Sequence, residues 1–392
     1  NPNNHLLRYN LARALVAKGD LEAARLQLEE AIKLRTDFIS AREMLARIYM
    51  VKGDPQKALQ GSEDILKLDR NNLQAHLTRS AALMSIGDRD RAHQELDYIA
   101  QTHPTNLEAQ YQTGYLAWQE KDYKKAEQLF TQLYKANPSD PRGLGGLTEA
   151  LVSEGRMADA TKEAEAASAA APDRRDLKLF VAKLYVRSER YDDAINIYRA
   201  LLDKDPKNVS LMFQLAETQR RKGDLNASMD SFRRCSQEAP SDTMCLTQLG
   251  MLLEATGKRD QAMPIWEQVL KIQPDAPVAL NNLAYAKAEQ GVDLDQALTM
   301  AQRAVQKVPG SMDMADTLGW IYIKKNLSDD AVRVFSDLVQ KDPNNPTFHY
   351  HYGMALLQKG DKPSAKRELE TAMKDKPSKD DAAKIQDLLR KI

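Results

Sequence analysis

The sequence predicts an all-α protein, a solenoid of about eleven helix-turn-helix units closed by one further helix. Three observations carry that prediction. A short motif, Gly-Asp with an Ala four residues later, recurs: Gly19-Asp20, Gly53-Asp54 and Gly87-Asp88 follow one another every 34 residues, and Gly360-Asp361 repeats the motif near the end. The composition is that of helix formers, with Leu, Ala, Lys, Glu, Gln and Asp abundant and aromatics at 6%. The 392 residues exceed what one compact core usually serves, whereas an array whose units touch only their neighbours extends along a line.

Set in that register, the units begin at residues 5, 39, 73, 107, 141, 175, 209, 243, 277, 312 and 346 and end at residue 379. The ninth alone is 35 residues long, through one extra residue around 292–294. Within a unit the first helix carries a small residue at position 8, from Ala12 and Ala46 to Gly319 and Gly353, so that its partner helix can approach closely. Position 15 is Gly in eight units, a left-handed cap where the chain leaves the first helix. The second helix has Ala at position 20 in ten units, Ser228 being the exception. Position 24 is bulky in most (Leu28, Phe130, Tyr198, Phe232, Trp266, Phe335) and fills the space between neighbouring pairs. Position 32 is Pro in nine units, ending the second helix. Twenty-three helices are therefore expected.

The two ends extend the pattern. Residues 1–4 read as the tail of a preceding unit, with Pro2 in the unit-ending place, and the native gene product is expected to begin upstream. Residues 380–392 put Ile385, Leu388, Leu389 and Ile392 on one helical face, an amphipathic cap over the last hairpin.

In this register the chain resembles the tetratricopeptide repeat family over nearly its whole length: Leu249-Gly250, Gly257, Ala262, Trp266 and Pro274 stand where that family's consensus wants them. The resemblance implies a right-handed superhelix whose first helices line a concave groove, with positions 2, 5, 6, 9, 12 and 13 facing it. It also implies a scaffold that binds a partner peptide or helix and performs no chemistry. Two groups at those positions are candidate contacts. Tyr111, Tyr115 and Trp118 form a stripe in the fourth unit. Asn281, Asn282, Tyr285, Asp316, Trp320, Tyr350 and His351, with Met354 beside them, span the last three. Aromatics among polar neighbours are the composition of a binding hot spot, and Asn or Asp can bond the amides of an extended peptide. The carboxylate clamp of chaperone-binding members is missing: Arg13 and Arg47 share position 9 of the first two units, but without the asparagines.

A narrower resemblance covers about a quarter of the chain. Asn281-Asn282-Leu283-Ala284, Asp316-Thr317-Leu318-Gly319-Trp320 and Tyr350-His351-Tyr352-Gly353 look like the C-terminal units of bacterial envelope lipoproteins linked to exopolysaccharide assembly and protein sorting. It implies an export or assembly system in the envelope; the cytoplasm is the alternative.

Other chemistry finds little support. Lys plus Arg and Asp plus Glu both number 56, where a nucleic-acid binder would carry a basic excess. No apolar run is long enough to span a membrane. The six histidines form no i, i+4 pair for a metal, no catalytic triad assembles, and no cofactor is expected. Arg142-Gly143-Leu144-Gly145-Gly146 lacks the strand that a phosphate loop follows. Lying inside a helix, its glycines each cost about 1 kcal/mol relative to Ala and mark the fifth unit as a soft point. Cys235 and Cys245 lie on consecutive helices, across the short inter-unit turn that contains Pro240. They read as two buried thiols, with a disulfide, and hence an oxidising compartment, as the alternative. The remaining alternatives are the repeat region of a larger enzyme and a subunit that self-associates through its end units.

Overall fold

A computed structural model of the chain describes residues 4–392, and the reading of residues 1–4 as a repeat tail falls largely outside them. Twenty-three helices and no strand are present among the described residues. They divide into two compact bodies, one ending at Ser188 and one running from Glu189 to Ile392.

The first body holds α1 (His5–Ala17), α2 (Leu21–Leu34), α3 (Ile39–Val51), α4 (Pro55–Leu68), α5 (Leu73–Ile86) and α6 (Arg89–Thr102). It continues with α7 (Leu107–Gln119), α8 (Tyr123–Ala136), α9 (Pro141–Ser153), α10 (Met157–Ala170) and α11 (Arg175–Arg187). The second body holds α12 (Tyr191–Lys204), α13 (Val209–Lys222), α14 (Leu225–Glu238), α15 (Thr243–Ala255), α16 (Arg259–Ile272) and α17 (Pro277–Gln290). There follow α18 (Leu294–Lys307), α19 (Met312–Lys324), α20 (Ser328–Lys341), α21 (Pro346–Lys359), α22 (Lys362–Lys374) and α23 (Lys379–Arg390). Within each body each helix packs on the next, and first helices also touch first helices: α3, α5, α7 and α9 in one body, α17, α19 and α21 in the other. Those contacts make a continuous face of first helices from α3 to α9 in one body and from α17 to α21 in the other.

Local chemistry explains the Gly-Asp motif. Gly19 takes the left-handed conformation (φ 81°), and the Asp20 carboxylate then accepts from the Ala23 amide at 3.0 Å, capping α2. The backbone bend is imposed by the register, since Lys121, Glu189 and Asn326 adopt it in the units that lack the glycine (φ 65°, 59° and 58°).

The small position 8 seats the bulky position 24 of its own unit. Trp266 is fully buried, and a β-carbon on Gly250 would come within 2.6 Å of its ring; Phe335 stands likewise over Gly319 at 2.6 Å. A second device repeats at position 4, whose side chain bonds a carbonyl six residues back in the inter-unit turn: Arg42 to Thr36, His76 to Arg70, Gln110 to Pro104 and His349 to Pro343. His76 and His349 also meet Glu95 and Glu368 through Nδ1, so both ring nitrogens are committed to holding helices together.

The cysteines are not the two separate thiols of the preferred reading. A disulfide joins Cys235 in α14 to Cys245 in α15, with Cα atoms 6.0 Å apart, because the turn between these helices doubles the chain back on itself. No described helix is long and apolar enough to cross a membrane.

Candidate interaction face

On α7 the residues at positions 5, 9 and 12 fall on one helical face. Tyr111 stacks on Tyr115 (centroids 6.2 Å, 17° between planes) and Tyr115 on Trp118 (5.7 Å, 20°). Tyr115 remains 37% exposed, while Tyr111 and Trp118 are half-buried. Trp118 donates its indole N–H to the Ser153 hydroxyl at 2.9 Å, tying the stripe to the next first helix. Between them lies a pocket of about 300 Å³, walled by Phe130, Arg142, Gly145, Gly146 and Glu149 as well as the three aromatics.

The glycines make this pocket. A β-carbon on Gly146 would lie 2.4 Å from the Phe130 ring, and one on Gly143 2.7 Å from the Tyr134 backbone, so both permit close approach to α8. One on Gly145 would meet nothing within 4 Å. Gly145 and Gly146 occupy positions 5 and 6, where every other unit has a side chain. The α9 helix is continuous through all three, so the glycines shape its packing and do not interrupt it.

Polar groups frame the opening. The Arg142 guanidinium lies over the Tyr111 ring at 5.4 Å, paired with Asp140 (2.7 Å) and Glu108, and those carboxylates hold its proton more firmly than usual. Burial pushes the Tyr111 hydroxyl pKa up, keeping it a neutral donor. Glu149 pairs with Arg187.

The C-terminal group is arranged differently from its sequence reading. Tyr350, expected on an open groove wall, is only 6% exposed: Leu369 and Ala372 of α22 and Ile385 of α23 pack around it. The last helix covers the place where a further first helix would lie. The Asp316 carboxylate sits 2.7 Å from His351 Nδ1, and the His351 ring lies 4.8 Å from that of Trp320. Trp320 donates to Glu289 at 2.8 Å, with the Lys324 ammonium 4.9 Å above its ring. Asn282 is bonded back to the Val278 carbonyl of its own helix at 2.8 Å. Tyr285 carries Arg259 over its ring at 5.0 Å, and burial raises its hydroxyl pKa. Asn281 Oδ1 is buried and has no hydrogen-bond partner among the described residues.

The structure thus brings Tyr111, Tyr115 and Trp118 into one open pocket. Most polar groups of the second cluster are satisfied internally. Sequence reading missed Phe130, Arg142, Gly145, Gly146 and Glu149 as pocket walls; the available signal was two adjacent glycines at groove positions one unit beyond an aromatic stripe.

Comparison with known proteins accords with this architecture. A family model described as tetratricopeptide repeat matches residues 9–71, 77–141, 181–243 and 247–311, and a second of the same description matches residues 117–184 and 328–392. A TPR repeat-containing protein of Pseudomonas aeruginosa is 24% identical over 201 residues, covering 51% of this chain and 34% of the relative. A human protein O-mannosyl-transferase is 25% identical over 166 residues, 41% of this chain and 19% of the relative. The chain therefore spans about a third or less of the length of these curated relatives. A tetratricopeptide repeat protein from Parabacteroides merdae superposes with a TM-score of 0.43 at 16% identity, covering 63% of this chain and 96% of that one. With the matched segments extending over most of its length and its helices falling into register as paired units, the chain belongs to the tetratricopeptide repeat family.

Proposed function

We propose that this chain is a non-catalytic scaffold that holds a segment of a partner protein on its first-helix face. A bulky apolar side chain of the partner seats between Tyr111, Tyr115, Trp118 and Phe130. The observation that carries this reading is Gly145: it leaves an aromatic-walled recess unfilled at a position where other units place a side chain. A rigid aromatic slot with a polar rim concentrates binding energy on one anchor. Gly145→Leu should fill the recess from its own helix without touching the core. Peptides selected from a displayed random library on the wild-type protein should carry Trp, Phe or Leu and bind Gly145→Leu at least tenfold more weakly, with the melting temperature preserved. Equal binding to both proteins would refute the pocket.

A second contact point is supported by Asn281: its Oδ1 has no hydrogen-bond partner among the described residues, and rotation of the half-buried amide would present it to a partner's backbone N–H. It would act with Asn282, Tyr285, Asp316, Trp320 and His351; Trp320→Ala should then weaken selected peptides at temperatures where circular dichroism shows the variant still folded. The Cys235–Cys245 bond favours an oxidising compartment, and with it the envelope reading over a cytoplasmic one.

A further inference from the structure

Position 9 along the first body reads Arg13, Arg47, Ala81, Tyr115, Glu149 and Lys183. Arg47 opens a second recess of about 560 Å³, walled by Met50, Val51, Gln74 and Leu77 and closed on its far side by Glu108 and Gln112. The far wall belongs to α7, whose other flank carries the aromatic pocket. Both recesses are walled by α7, so a segment laid across α3, α5, α7 and α9 would reach both along one track. Arg13 and Arg47 are both exposed, and neither has a carboxylate partner among the described residues. Arg79, Arg91, Arg142, Arg156 and Arg187 of the same body are all in ion pairs. Val51, beside Arg47, is 73% exposed, so the basic end of the track has an apolar floor.

We infer that the partner segment is acidic at one end: an apolar anchor in the α7–α9 pocket, and carboxylates that reach Arg47 and then Arg13. This rests on the proposed pocket and adds the chemistry of what fills the rest of the track. Packed helices lie about 8–10 Å apart. Arg47 is two first helices from Tyr115, roughly 20 Å, or about six residues of extended chain at about 3.3 Å each. Arg13 lies one helix further, about three more residues. The matching segment thus has an aromatic residue, an acidic residue about six positions away and another about three beyond it. Arg pairs with carboxylates through a planar fork, which fixes register as well as adding attraction. A nucleic-acid strand could also use arginines and aromatics. The chain as a whole carries no basic excess, 56 Lys plus Arg against 56 Asp plus Glu, which favours a protein partner over a phosphate backbone.

The test uses fluorescence anisotropy on the full chain with three synthetic peptides of about fourteen residues. All share one Trp; two Asp stand at the inferred spacing in the first, two Asn in the second and two Lys in the third. The Asp peptide should bind at least tenfold more tightly than the Asn peptide, less so at high salt. Replacing both arginines by Gln should remove that difference while leaving the Asn peptide unchanged. Replacing both by Glu should transfer the preference to the Lys peptide. If the Asp and Asn peptides bind wild type equally and Gly145→Leu weakens both, the pocket stands and the acidic partner is excluded. If Gly145→Leu leaves the Asp peptide unaffected while the arginine variants weaken it, the pocket reading fails instead. No binding of the Asp peptide at millimolar concentration, or tighter arginine-dependent binding of a labelled oligouridylate, overturns the inference.

Discussion

The three glycines of α9 are chemically identical and physically distinct, because each faces something different. Gly145 points into open space with helical backbone, so Gly145→Ala adds helix propensity at no steric cost and should stabilise the protein by about 1 kcal/mol. Gly146→Ala drives a methyl into the Phe130 ring and Gly143→Ala drives one into the Tyr134 backbone. Overpacking of that kind costs about 1–3 kcal/mol, more than the propensity gained. Urea unfolding of the three variants should therefore split one up and two down; uniform stabilisation would mean that α8 and α9 pack more loosely than described here. From the sequence all three read as the same helix-weakening residue, since propensity is a local quantity and a β-carbon's surroundings are not.

At the scale of the element, the helices are stitched by charge as well as by packing. A Lys at the C-terminal end of the first helix meets an acid at the start of the preceding unit's second helix: Lys52 with Glu22, Lys222 with Asp192, Lys325 with Asp295 and Lys359 with Asp329. Bonds from Arg25 and Lys52 lower the Glu22 carboxyl to about 2 against an ordinary 4.5, and the Lys359 contact lowers Asp329. A depressed carboxylate favours the fold at pH above its unfolded value and loses that contribution as the pH falls through its folded value. Stability should therefore fall as pH drops from about 4.5 towards about 2, and Glu22→Gln should flatten that slope. Denaturant midpoints from pH 7 to pH 2 measure it; an unchanged slope in the variant would show that Glu22 contributes nothing. The pairs are exposed, so each is a modest stitch. The periodic capping and core residues were legible in sequence, whereas these ladders join residues about thirty apart and became visible only with the hairpins stacked.

For the molecule as a whole, the Cys235–Cys245 bond ties α14 to α15. Protein prepared under oxidising conditions should take up no alkylating reagent when unfolded without reductant and two equivalents after reduction, read by mass. Labelling at both cysteines before reduction would contradict the bond.

The register of 34 residues, the helix pairs and their small-against-large cores were determined by the sequence itself. Helical period, caps and breakers act within a few residues and repeat unit after unit. What only the tertiary structure decided is which groove-position residues meet solvent. Tyr111, Tyr115 and Tyr350 have the same kind of place in their units, yet two line an open pocket and one lies beneath α23. Exposure belongs to a side chain's neighbours, and those come from other units: Gly145 opens the recess by having no side chain, and Ile385 fills the space over Tyr350.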